Sequence, residues 1–120
     1  MKDRRKETGR LGEDLALTYL LKQGYQLVTR NYNCKLGEID LIVTKDGLTI
    51  FVEVRSLRSN RFGRPEESVR KTKRDKVRRI AQFYLHDQSQ WDIPVRFDVI
   101  AVDIGLNNQA ISLNHIPAAF

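Results

Sequence analysis

Two acidic residues, Asp40 and Glu53, lie in neighbouring apolar runs that read as a β-hairpin, because Asp46-Gly47 between them is a two-residue turn signal. With that turn, Lys45 faces Leu48, and counting back places Asp40 opposite Glu53 and Glu38 opposite Arg55. Side chains alternate across a strand, so these four share one face. Ile39, Leu41 and Val43 then share the other face, the core face, with Val52 and Val54. Opposed carboxylates destabilise a sheet, and their β-carbons sit about 4.5–5.5 Å apart, close enough for both to hold one cation. A divalent metal would turn the repulsion into coordination. The alternative is that each acid pairs with a base such as Arg55, and a bulge would break the count.

Glu13 is a third acid. On a helix it falls on the side of Ala16, Leu17, Leu20 and Leu21, facing the sheet, where a carboxylate needs a partner or a metal. The plainer reading is that Glu13 and Asp14 favour the positive end of the helix dipole. A second helix carries Arg70, Lys71, Lys73, Arg74, Lys76, Arg78 and Arg79 around an apolar stripe of Val69, Val77, Ile80 and Tyr84. Lys73 falls inside the stripe, so its ammonium is placed to reach the acids. The other bases have solvent as their default. Arg58, Arg61 and Arg64 in the loop that precedes this helix, with Arg10, Lys71 and Arg74, suit phosphate oxygens, which Arg forks match. Such contacts hold a backbone and do not read sequence.

The elements that must position these groups are legible. Helices are expected over residues 8–23 and 67–88, and strands over 25–33, 38–45, 48–55, 95–102 and 110–113. Gly24 ends the first helix. Gly63 and Pro65 break a polar loop over 56–66. The order predicts an α/β domain spanning residues 1–120, with a mixed central sheet flanked by helices.

Other candidates carry less. His86 and His115 lack ligand spacing and read as surface or capping residues. Asp98 reads as the partner of Arg96 on its strand. Trp91 reads as packing. Gly9 and Gly12 do not form a phosphate loop.

Composition agrees with a basic globular protein. The 120 residues are 41% hydrophobic and 30% charged, with a formal net charge of +6, and that charge fits a polyanionic partner. One cysteine, Cys34, allows no internal disulfide and no cysteine-based zinc site. The charged N-terminus lacks the apolar stretch of a secretory signal, and no run is long enough to span a bilayer, so a cytoplasmic location is expected.

The chain resembles the YraN family of endonuclease-like bacterial proteins. The resemblance is carried by Gly12-Glu13, Ala16, Tyr19-Leu20, Gly24-Tyr25, Arg30-Asn31, Gly37-Glu38-Ile39-Asp40-Leu41-Ile42 and Phe51-Val52-Glu53-Val54. It continues through Phe62-Gly63, Lys73, Ala81, Tyr84-Leu85 and Arg96-Phe97-Asp98-Val99. That family looks like part of the PD-(D/E)xK restriction-endonuclease-like superfamily, similar to archaeal Holliday-junction resolvases. The resemblance implies a restriction-endonuclease-like fold and hydrolysis of phosphodiesters in structured or damaged DNA, dependent on Mg2+ or Mn2+. Glu13, Asp40 and Glu53 match the metal-binding acids. It also implies a homodimer, as in resolvase-like relatives. The superfamily wants Lys two residues after the second acid, and this chain has Arg55 there. Arg stays protonated and cannot act as a base, though it can stabilise developing charge. Three readings stay open: Arg55 substitutes electrostatically, Lys73 supplies the amine, or the protein binds nucleic acid without cutting it. A protein-interaction module, its charge serving only solubility, is a further alternative.

Overall fold

The computed structural model describes residues 4–58 and 71–120. Arg61, Arg64 and the expected start of the second helix lie outside the described residues. The elements are α1 (Arg4–Lys22), β1 (Gln26–Cys34), β2 (Gly37–Lys45), β3 (Leu48–Arg58), α2 (Lys71–Asp87), β4 (Val95–Ile104) and β5 (Ala110–Ile116). Helix α1 starts earlier than expected. Arg5 and Lys6 are good helix formers, and an isolated Gly9 costs only about 1 kcal/mol. Its end is as expected: Gly24 has φ 93°, and Tyr25 N–H returns to Leu20 O at 3.0 Å.

The sheet order is β1-β2-β3-β4-β5. Strands β1, β2 and β3 pair antiparallel, β3 and β4 parallel, and β4 and β5 antiparallel. The parallel pair is the one joined through α2, as parallel neighbours require a crossover. The chain is therefore α/β with a mixed sheet flanked by two helices, an arrangement consistent with the restriction-endonuclease-like fold. Neither helix is long and apolar enough to cross a membrane.

Both faces of the sheet are covered. Ala16 and Leu20 of α1 pack on Leu41, Val43, Ile50, Val52, Ile100, Val102 and Ile104. Val77, Ile80, Ala81 and Tyr84 of α2 pack on Ile39, Ile42 and Phe51. Two-sided burial explains why β2 and β3 read as continuous apolar runs. Leu21, expected on the inner face of α1, is 51% exposed.

The hairpin count holds only in part. Asp46 and Gly47 take φ 51° and 80°, as a two-residue turn of this kind requires, and Lys45 pairs with Leu48. Pairing continues to Leu41 and Val52 and stops there, so Asp40 is not laddered to Glu53, nor Glu38 to Arg55. Ile39 packs toward α2 whereas Leu41 packs toward α1, which corrects the expectation of a shared face. Strand β1 turns over at the same level: Arg30 meets acids of α1, while Tyr32 meets Tyr84 of α2 edge to face. Between them Asn31 has φ 53°. The physical reason is at Asp40, whose Oδ2 accepts the Val54 N–H at 2.8 Å and takes the place of a ladder bond.

Candidate metal and nucleic-acid site

Helix α1 brings Glu13 to the irregular end of β2. It can do so because Gly12 lies against β3: a β-carbon there would fall 1.7 Å from Ser56 Oγ. Carboxylate oxygens of Glu13, Glu38 and Asp40 all lie within 4.8 Å of one another. Glu38, though counted on the face of Asp40, was not among the metal-binding acids the sequence suggested. Its signal was its spacing, two residues before Asp40.

Glu53 stands on the other side of Asp40. It is 5% exposed, and its Oε1 pairs with Lys73 Nζ at 2.9 Å. Its Oε2 is buried and takes no hydrogen bond among the described residues. Lys73, about half exposed, thus reaches across from α2 as its place in the apolar stripe suggested. Burial first, and then the charge of Glu53, push the Asp40 carboxyl up to about 7; the Val54 N–H and Lys73 pull the other way. Burial also raises Glu13, opposed chiefly by its hydrogen bond from Asn31.

Asn31 is a second residue the sequence reading did not assign. Its Nδ2 donates to Glu13 Oε1 at 3.0 Å and to Glu38 Oε1 at 3.3 Å. Arg30 adds positive charge, with Nε 3.6 Å from Glu13 Oε1 and Nη2 2.6 Å from Asp14 Oδ1. Arg55 is half-buried on β3, and its side chain makes no hydrogen bond or ion pair among the described residues.

Two clefts flank the acids, and Glu38 lines both. One, of about 500 Å³, is bounded by Arg5, Lys6, Arg10 and Arg30 beside Glu13 and Asn31. The other, of about 430 Å³, is bounded by Thr72, Lys73 and Lys76 of α2. Arg10 lines the first of these clefts. Arg58 instead lines a separate cleft of about 370 Å³ with Arg5, Thr8, Ser56 and Glu13, and it donates to Thr8 Oγ1 and Asn108 Oδ1. Lys71 is exposed at the start of α2, and Arg74 is partly buried with its Nε unpaired among the described residues. Neither lines these clefts.

Away from the acids, Asp98 has the structural role expected of it. It is fully buried and takes Arg96 Nε and Nη2 at 2.8 Å each, His115 Nε2 at 2.7 Å and the Ala118 N–H at 3.1 Å. Burial opposes its charge, but the His115, Arg96 and Ala118 contacts outweigh burial and hold its pKa below the ordinary value. His115 is not the surface residue expected. Its side chain is 8% exposed, with Nδ1 3.0 Å from the Tyr19 hydroxyl. Residues 96 apart in sequence gave no signal of that contact. Trp91 is 60% exposed and packs on His86, with ring centroids 4.7 Å apart.

Residues 12–102 match the family described as Uncharacterised protein family UPF0102. The chain belongs to the UPF0102 family. This is the YraN family that the sequence motifs indicated. A UPF0102 protein of Clostridium perfringens strain 13 is 40% identical over 120 residues, covering 100% of this chain and 98% of its own length. One from Caldicellulosiruptor saccharolyticus is 37% identical over 116 residues, covering 97% and 98%. One from Pelotomaculum thermopropionicum is 38% identical over the full length of both chains. The UPF0102 match spans Glu13, Glu38, Asp40, Glu53, Arg55 and Lys73.

Proposed function

We propose that this UPF0102 protein is a Mg2+- or Mn2+-dependent endonuclease acting on DNA, with branched or otherwise structured DNA as its substrate. The observation that carries the reading is the convergence of Glu13, Glu38 and Asp40 between two clefts lined by Lys and Arg. The donor set fits the metal, because hard divalent cations take carboxylate oxygens. The buried, unpaired Oε2 of Glu53 fits a cation as well.

Glu13, Asp40 and Glu53 would hold the cation, with Glu38 beside them. When bound, it would neutralise phosphate charge and lower the pKa of an attacking water. Arg5, Lys6 and Arg10 on one side, and Lys73 and Lys76 on the other, would hold backbone phosphates so that the scissile one sits over the acids. Lys73 would stabilise charge that develops there. Arg55 lies two residues beyond Glu53 on the same strand and would add charge without acting as a base.

Arg55 favours one second reading, a non-catalytic nucleic-acid-binding protein that retains the fold. A cleavage assay separates the two. Duplex, single-stranded, flapped and four-way DNA are incubated with Mg2+, Mn2+ or EDTA, beside Asp40→Asn. Metal-dependent cutting that Asp40→Asn abolishes supports the enzyme. Salt-sensitive binding without cutting, in both proteins, supports the second reading.

A further inference from the structure

Asn31 occupies an unusual place on β1. Its φ of 53° lies in the left-handed region, and it falls between the pairs Arg30–Leu41 and Tyr32–Ile39, at the level of Asp40. Asn visits this region more readily than most residues, and Gly adopts it freely. A backbone role alone would therefore be served by either. The side chain does more. Its one amide nitrogen spans a carboxylate from α1 and another from β2, engaging Oε1 of both Glu13 and Glu38. The remaining oxygen of each acid has no hydrogen bond among the described residues. Beside this group, Glu53 is 5% exposed with its Oε2 unpaired, an independent sign of a site that takes a cation.

We propose that Asn31 is a positioning residue of the acidic site: its amide holds Glu13 and Glu38 at the spacing at which they, with Asp40, take one divalent cation. The inference rests on the metal-binding reading above and deepens it, since it makes Glu38 a ligand. Two like charges on separate elements would otherwise swing apart, and the cation would bear the full cost of gathering them. Hydrogen-bonding partners of metal ligands typically contribute 10–100-fold in affinity.

The test is Mn2+ titration of the full chain by calorimetry, without nucleic acid, together with thermal unfolding in EDTA. Asn31→Gly keeps the left-handed backbone and removes the amide. It should weaken Mn2+ binding about tenfold while melting within a few degrees of the wild type. Glu38→Gln should weaken binding as well, and the double variant should lose less than the product of the two single losses, because Asn31 acts partly through Glu38. Unchanged Mn2+ affinity in Asn31→Gly, with binding abolished in Asp40→Asn, would overturn the role of Asn31 and leave the metal site standing. A wild-type protein that binds no Mn2+ would overturn the metal reading itself. Strictly multiplicative losses in the double variant would also count against the positioning role.

Discussion

The Asp40 carboxylate accepts the backbone N–H of Val54 at 2.8 Å, and the pairing of β2 with β3 ends one residue earlier, at Leu41 and Val52. A side chain thus replaces the strand at the point where two acids would have been laddered together. Asp40→Asn retains an acceptor for that N–H, whereas Asp40→Ala leaves a partly buried donor unpaired, a loss of about 1–3 kcal/mol. In urea unfolding, Asp40→Ala should therefore be less stable than Asp40→Asn, and both should fail to cut DNA. Equal stability of the two variants would show that water replaces the contact at no cost.

Stability in EDTA should fall as pH rises through the range set by Asp40. The carboxyl is raised from its ordinary 3.8 to about 7 in the folded chain, mainly by burial and then by Glu53. Between those values the folded state holds a proton that the unfolded state has lost, so the stabilisation present below about 4 disappears by about pH 7. Relative to Asp40→Asn, which cannot titrate there, the wild type should melt progressively lower from pH 4 to pH 8. Mn2+ should raise the wild-type melting temperature more at pH 8 than at pH 5, because protons compete for the same oxygens. A difference between the two proteins that is flat with pH would contradict the raised pKa.

Gly12 decides how closely α1 approaches β3. A β-carbon at Gly12 would meet Ser56 Oγ at 1.7 Å and Ser56 Cβ at 2.8 Å. Gly12→Ala should destabilise the fold by about 1–3 kcal/mol through overpacking. It should also weaken Mn2+ binding, because Glu13 is the next residue on the helix. Adding Ser56→Gly should recover much of both losses, which chemical denaturation and metal titration would read separately.

Asp98 should matter for stability and not for the acidic site. Asp98→Ala leaves Arg96, 26% exposed, without its carboxylate, and strips a hydrogen-bond partner from His115. Loss of about 3–5 kcal/mol is expected, as for one partner of a buried ion pair. Where the variant remains folded, its Mn2+ affinity should equal that of the wild type. A loss of metal binding without loss of stability would place Asp98 in the functional machinery instead.

Much of this was written locally in the chain. Apolar runs bounded by Asp46-Gly47 and Gly24 fixed the hairpin and the end of α1, because turn and cap geometry depend on a few adjacent residues. The apolar stripe of α2 placed Lys73 toward the sheet by helical periodicity alone, and its contact with Glu53 follows. The Gly-Glu-Ile-Asp-Leu-Ile segment carried the family, and the match over residues 12–102 agrees with it. What only the tertiary structure decided lies where regular alternation fails. The turnover at Asn31 and Asp40 sends Ile39 and Leu41 to opposite faces, and period-two counting cannot detect it. That turnover gathers Glu38, Asp40 and Asn31 with Glu13. Likewise Tyr19, Asp98 and His115 meet only because α1, β4 and β5 are packed together. Local sequence sets elements by short-range sterics and periodicity. The meeting of distant charged groups is set by how those elements pack, and by which backbone donors their side chains capture.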